Sequence, residues 1–156
     1  MRVAYLHGLD SNNLGPKNKW LKSISELYDP LIDYREKYIY QKIKVQIQEF
    51  NSDVIIGSSM GGFFAFEIAK ELNIKSLLFN PALHSRSFEP DMTGHKIGDF
   101  NPKMHFVFGK KDSIINPFKT IEMIQSETWS NIDYSIFEHS HDTSFELFKS
   151  QIILFL

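Results

Sequence analysis

The chain has 156 residues, 42% of them hydrophobic, which predicts one globular domain over residues 1–156. Its 17 basic and 19 acidic side chains give a formal net charge of −2, so charge offers no argument for a nucleic-acid partner. Cysteine is absent, which excludes disulfides, a cysteine nucleophile and thiolate metal sites.

Short apolar runs alternate with helical patterns along the chain. In chain order, the patterns predict a strand at 3–7, a helix at 20–28, a strand at 31–34, a helix at 39–50, a strand at 54–57, a helix that follows Gly62, strands at 74–79 and 104–109, a helix from 118 that ends before 130, a strand at 134–137 and a helix at 145–155. The alternation predicts an α/β fold with a mainly parallel, doubly wound sheet of about six strands and helices on both faces.

Two features of the chain bear on location and on the pocket. The first run reaches His7 too early for a secretory signal, and no run approaches the roughly 20 apolar residues that span a bilayer, so we expect a cytoplasmic protein with no membrane partner.

The segment 82–103 is polar and irregular. We expect it at the surface, where it would line the substrate pocket together with the loop after Gly8.

The most informative stretch is Gly57-x-Ser59-x-Gly61, which lies between an apolar strand and a helix. This is the spacing of a nucleophile elbow, in which a tight strand-to-helix turn holds a serine at the end of the sheet. Glycines two positions away avoid collisions with the neighbouring strand and helix. The pattern therefore predicts Ser59 as a nucleophile, and the alternative is a plain Gly/Ser turn.

A serine nucleophile needs a base and a carboxylate, and both types of residue follow later strands. Asp112 comes after the strand at 104–109, where it serves either the site or its own loop. His139 and His141 both follow the last strand. Proximity to the final helix favours His141 as the base, with His139 as the alternative.

The same two histidines also suggest a metal pair, because imidazoles at alternate positions can share an ion. No carboxylate-rich cluster accompanies them, so we predict neither a metal nor another cofactor. The histidines at 84, 95 and 105 lie in no motif.

An oxyanion formed during acyl transfer needs two fixed N–H donors. One is predicted to be the backbone N–H of Met60, directly after the serine. The other is predicted in the loop after the first strand, at Leu9, beside Gly8. His7 is expected to brace this loop rather than to act as the base.

Three stretches resemble the small bacterial esterases of the YqiA type, the UPF0227 group: Tyr5-Leu6-His7-Gly8-Leu9-Asp10-Ser11, Gly57-Ser58-Ser59-Met60-Gly61-Gly62, and Leu78-Phe79-Asn80-Pro81-Ala82-Leu83. The resemblance implies a compact α/β-hydrolase fold without a large cap domain. It also implies Ser59 as nucleophile, Asp112 as acid and His141 as base. The run His139-Ser140-His141 departs from the family, which commonly has Gly or Asp just before the catalytic histidine.

Together these features predict a serine esterase that acts on a small acyl ester or thioester through an acyl-enzyme on Ser59. The alternatives are an acyl-CoA thioesterase or a peptidase on the same residues, and a non-catalytic binding protein that keeps the hydrolase scaffold. Substrate identity and oligomeric state do not follow from the sequence.

Overall fold

A computed structural model describes all residues, Met1–Leu156, and its centre is one six-stranded sheet. The strands are β1 (Arg2–Leu6), β2 (Glu26–Tyr28), β3 (Val54–Ser58), β4 (Lys75–Phe79), β5 (Met104–Gly109) and β6 (Ile132–Phe137). Their order is β2-β1-β3-β4-β5-β6, and every neighbouring pair is parallel. This confirms the predicted α/β fold, with an entirely parallel sheet.

Five helices cover the two faces of the sheet: α1 (Pro16–Ile24), α2 (Ile39–Phe50), α3 (Met60–Leu72), α4 (Pro117–Ser126) and α5 (Phe145–Phe155). A cluster of 23 buried hydrophobic residues packs α2, α3 and α4 on one face. A second cluster, of 10, packs α1 and α5 on the other. None of these helices is both long enough and apolar enough to cross a membrane.

The predicted second strand is wrong. The second strand of the sheet is β2, at Glu26–Tyr28, within the range predicted as the end of the first helix, and α1 ends earlier, at Ile24. Three residues are too few to show a two-residue period, so Leu27 and Tyr28 looked like the continuation of a helix.

Residues 31–34 form a loop that holds the end of β1. Ile32 and Tyr34 are buried, and this alternation imitated a strand. The Ile32 N–H donates to His7 Nε2 at 2.9 Å, and the Tyr34 hydroxyl donates to the His7 carbonyl at 2.5 Å. Because His7 Nε2 accepts, the other ring nitrogen carries the proton and donates to the Gly8 carbonyl at 2.7 Å.

The irregular segment 82–103 is fixed against α2 and α3 by a buried polar network. Lys44 donates to Glu71 at 2.5 Å and to the Gly94 carbonyl at 2.6 Å. The Tyr40 hydroxyl and the Lys96 N–H both donate to the same carboxylate. The segment therefore has a defined position on the outer side of these two helices.

Stability should depend on pH through His7, which is 2% exposed and whose pKa is lowered by burial. The neutral ring is the form that accepts from Ile32, so its contribution is complete above the unfolded-state pKa of about 6.5. It is lost as the pH falls through the lower folded-state pKa.

We expect the unfolding free energy of the wild type to decline between pH 7 and pH 5 more steeply than that of His7→Gln, by up to about 1.4 kcal/mol per pH unit. Urea unfolding at a series of pH values measures both slopes. Equal slopes would contradict the assignment of His7 as a neutral brace.

Candidate active site

Ser59 lies at a strained turn between β3 and α3. Its backbone has φ 53° and ψ −115°, a conformation that costs a non-glycine residue about 1–3 kcal/mol. Close packing maintains the turn, because a Cβ on Gly57 would collide with the Gly61 carbonyl and a Cβ on Gly61 would collide with the Leu6 carbonyl. The predicted elbow geometry is thus present, and Ser59 stands at the carboxyl end of the sheet.

Ser59, His141 and Asp112 lie in one hydrogen-bonded line. His141 Nε2 is 3.0 Å from Ser59 Oγ, and His141 Nδ1 is 2.7 Å from Asp112 Oδ2. Ser59 follows β3, His141 follows β6 and Asp112 follows β5. The structure therefore brings together three groups that were predicted from separate strand ends.

The surroundings of Asp112 determine how the proton is arranged along this line. Its side chain is fully buried, and Oδ1 accepts hydrogen bonds from the N–H groups of Ile114 and Ile115 at 2.8 and 2.9 Å. A carboxylate only accepts, so the proton of His141 is on Nδ1. Nε2 is then free to accept the Ser59 hydroxyl proton, which is the arrangement that activates a serine for attack.

Asn80 is a positioning residue beside the site that the sequence patterns did not single out. Its Oδ1 accepts from the Gly109 N–H at 2.7 Å, and its Nδ2 donates to the His141 carbonyl at 2.7 Å. It thus joins the end of β4 to the end of β5 and to the histidine loop. Sequence analysis uses Asn80 only as part of the stretch Leu78–Leu83 that resembles the family, although a polar side chain directly after a strand at this edge is a usable signal.

Two free N–H groups lie near the serine. Gly8 packs so closely on Ser59 that an added Cβ would be 3.3 Å from the serine Cβ, which leaves Leu9 next to the turn. The Leu9 N–H donates no hydrogen bond within the protein. Met60 begins α3, so its N–H has no acceptor within that helix. Neither N–H group therefore has an acceptor within the protein, and their assignment as oxyanion donors stays a prediction.

His139 is held outside the line. Its Nδ1 is 2.7 Å from the Ser140 carbonyl, and its Nε2 is buried without a partner. The two ring nitrogens of His141 are already engaged by Ser59 and Asp112. The two histidines therefore do not offer one free ring nitrogen each to a shared metal ion. No group of three or more metal-ligating side chains occurs in the structure.

A second Asp–His–Ser chain occurs at the opposite end of the sheet. His105 Nδ1 is 2.6 Å from Asp133 Oδ1, and its Nε2 is 3.2 Å from Ser135 Oγ. Here the serine lies within the regular strand β6, without a strained turn or a helix start beside it. The strained backbone at Ser59, and not the Asp–His–Ser hydrogen bonds alone, therefore distinguishes Ser59 from Ser135.

A cavity of about 430 Å³ opens beside Ser59 and His141. The loop after β1, the start of α1 and the loop before α5 form its walls. No residue of the segment 82–103 lines it, so the expectation that this segment shapes the pocket is wrong. The polar network around Glu71 explains the difference, because it holds that segment on α2 and α3.

Solved structures share this fold across almost the whole chain. A protein assigned to the alpha/beta superfamily of hydrolases from Xanthomonas campestris pv. campestris matches with a TM-score of 0.74 and 14% identity, over 99% of this chain and 98% of its own. A Paleococcus ferrophilus monoacylglycerol lipase matches at 0.74 and 12%, over 98% and 93%. Est1E from Butyrivibrio proteoclasticus matches at 0.71 and 14%, over 99% and 86%. A comparison with curated proteins found no match.

The parallel sheet, the elbow and these neighbours define an α/β-hydrolase fold. Residues 2–115 match the model of the uncharacterised protein family UPF0227, and the chain belongs to that family.

Replacing Asn80 should destabilise the protein. In Asn80→Ala the buried Gly109 N–H loses its acceptor, and we expect a loss of about 1–3 kcal/mol in unfolding free energy, measured by urea denaturation. Asn101→Ala is the matched control, because its amide bonds to Ser130 at the exposed surface and its loss should stay within about 0.5 kcal/mol. Equal losses in the two variants would contradict the role given to Asn80.

Proposed function

We propose that the protein is a serine hydrolase that cleaves a small acyl ester or thioester through an acyl-enzyme on Ser59. The observation that carries the proposal is the unbroken line of hydrogen bonds from Ser59 through His141 to the buried Asp112. The strained turn at the serine supports it, since backbone strain is concentrated at functional positions. Fold neighbours named as a lipase and an esterase agree with hydrolysis.

In the acylation step, Ser59 Oγ attacks the substrate carbonyl carbon and its proton passes to His141 Nε2. Asp112 stabilises the resulting imidazolium, and its two backbone hydrogen bonds keep it in place. The carbonyl oxygen gains negative charge and is stabilised by the N–H groups of Leu9 and Met60. The leaving alcohol or thiol then takes the proton from His141, and the C–O or C–S bond breaks.

In the deacylation step, water takes the place of the leaving group. His141 removes a proton from the water as it attacks the acyl carbon, and returns that proton to Ser59 Oγ when the ester bond to the enzyme breaks. The acid product leaves and the free enzyme is restored. No cofactor takes part in either step.

Acyl-CoA thioesters and peptide amides would use the same residues and differ only in the leaving group. Parallel assays on p-nitrophenyl esters, acyl-CoA and peptide amides separate these substrates. A binding protein without turnover would not need Ser59, His141 and Asp112 at 3.0 and 2.7 Å, and this spacing favours an enzyme.

A fluorophosphonate label should attach to the wild type and fail to attach to Ser59→Ala, because the label needs an activated serine. Ser135→Ala is the matched control: it removes the hydroxyl of the other Asp–His–Ser chain and should label like the wild type. Mass spectrometry of the labelled peptide gives the position. Labelling of Ser59→Ala, or its loss in Ser135→Ala, would reject Ser59 as nucleophile.

His141→Ala should lower kcat for p-nitrophenyl butyrate by about 10²–10⁴-fold, the usual contribution of a general base. His139→Ala should keep most of the activity, because that ring bonds only to the Ser140 carbonyl. Steady-state kinetics of the two variants decide between them. The reverse pattern would transfer the role to His139.

A further inference from the structure

The cavity beside Ser59 is polar for an acyl pocket. Of its 16 lining residues only four are hydrophobic, and Ser11, Asn12, Asn18 and Thr143 contribute polar groups to its walls. Pockets that hold small apolar ligands are lined mainly by hydrophobic side chains. A long acyl chain therefore finds little matching surface here, and polar groups on the substrate find several partners.

Lys17 is an unpaired cation in the wall of this cavity. It lies in the first turn of α1 with its Nζ 5.1 Å from the centre of the Phe148 ring, and it makes no hydrogen bond and no ion pair. Burial lowers the pKa of Lys17, and the charge of Asp142 partly offsets this effect. Asp142, which also lines the cavity, is exposed and acts on Lys17 only from beyond ion-pair distance.

We propose that the substrate carries a carboxylate in addition to its scissile ester or thioester, and that Lys17 in the cavity wall binds this carboxylate. This inference rests on the proposed hydrolase function and names its substrate class. One lysine and no arginine line the cavity, which suits a singly charged carboxylate. The cavity offers no arginine for bidentate recognition of a phosphate, and Asp142 opposes a doubly charged group more strongly than a singly charged one.

The test compares pairs of esters in which one member carries an added carboxylate. p-Nitrophenyl butyrate and the mono-p-nitrophenyl ester of succinic acid share a leaving group, and the second ends its acyl chain in a carboxylate. Phenyl acetate and 4-acetoxybenzoate place the same difference in the alcohol half. We expect the wild type to prefer the charged ester in at least one pair by about tenfold or more in kcat/KM, the scale of a charge-assisted hydrogen bond.

Lys17→Met keeps an unbranched side chain over Phe148 and removes the charge. It should abolish the preference by lowering kcat/KM for the charged ester alone. Lys19→Met is the matched control, because this exposed lysine lies in the same helix outside the cavity and its loss should leave both esters unaffected. Equal loss on neutral and charged esters in Lys17→Met would overturn the proposal.

Three further outcomes separate this inference from its alternatives. A wild type that hydrolyses the neutral esters and shows no preference for charge in either pair would overturn the carboxylate assignment and leave the hydrolase intact. Absence of fluorophosphonate labelling at Ser59 would reject the hydrolase itself. Stronger inhibition of butyrate hydrolysis by inorganic phosphate than by acetate would contradict a carboxylate and favour a phosphorylated substrate.

Discussion

The close approach of α3 to β1 and β3 is the constraint on which the site depends. Gly57 and Gly61 leave no room for a side chain between the helix start and the two strands, and this contact forces the chain to turn sharply at Ser59. The turn strains the backbone of one residue, and the buried packing of α3 on the sheet offsets that strain. A serine on a relaxed loop would lack both the exposed hydroxyl and the helix-start N–H beside it.

A parallel sheet places the ends of all its strands at one edge, but it does not by itself set distances of 3 Å between loops. In this protein a few buried polar contacts set the distances between these loops. Asn80 bonds to the ends of two neighbouring loops, and His7 is fixed by Ile32 and Tyr34 from a segment outside the sheet. These contacts, more than the sheet alone, position the histidine loop and the loop that carries Leu9.

The fold and the three chemical groups could be predicted because each left a local signal. Ser59 lies in a fixed spacing of glycines, and Asp112 and His141 follow apolar strands. What failed depended on contacts between distant residues: Ile32 and Tyr34 alternate because they pack on His7, which imitates a strand, and β2 is too short to show its period. The choice between His139 and His141 required the positions of their ring nitrogens, which spacing does not provide.

The proposed base comes late in the chain. His141 lies 82 residues after Ser59, and α5, which follows it, packs Phe148 against Tyr5 and Phe79. Chains are synthesised from the N-terminus, so the elbow and Asp112 leave the ribosome before the histidine does. Under the proposed mechanism, Ser59 therefore has no general base until the segment after β6 has been synthesised and has folded.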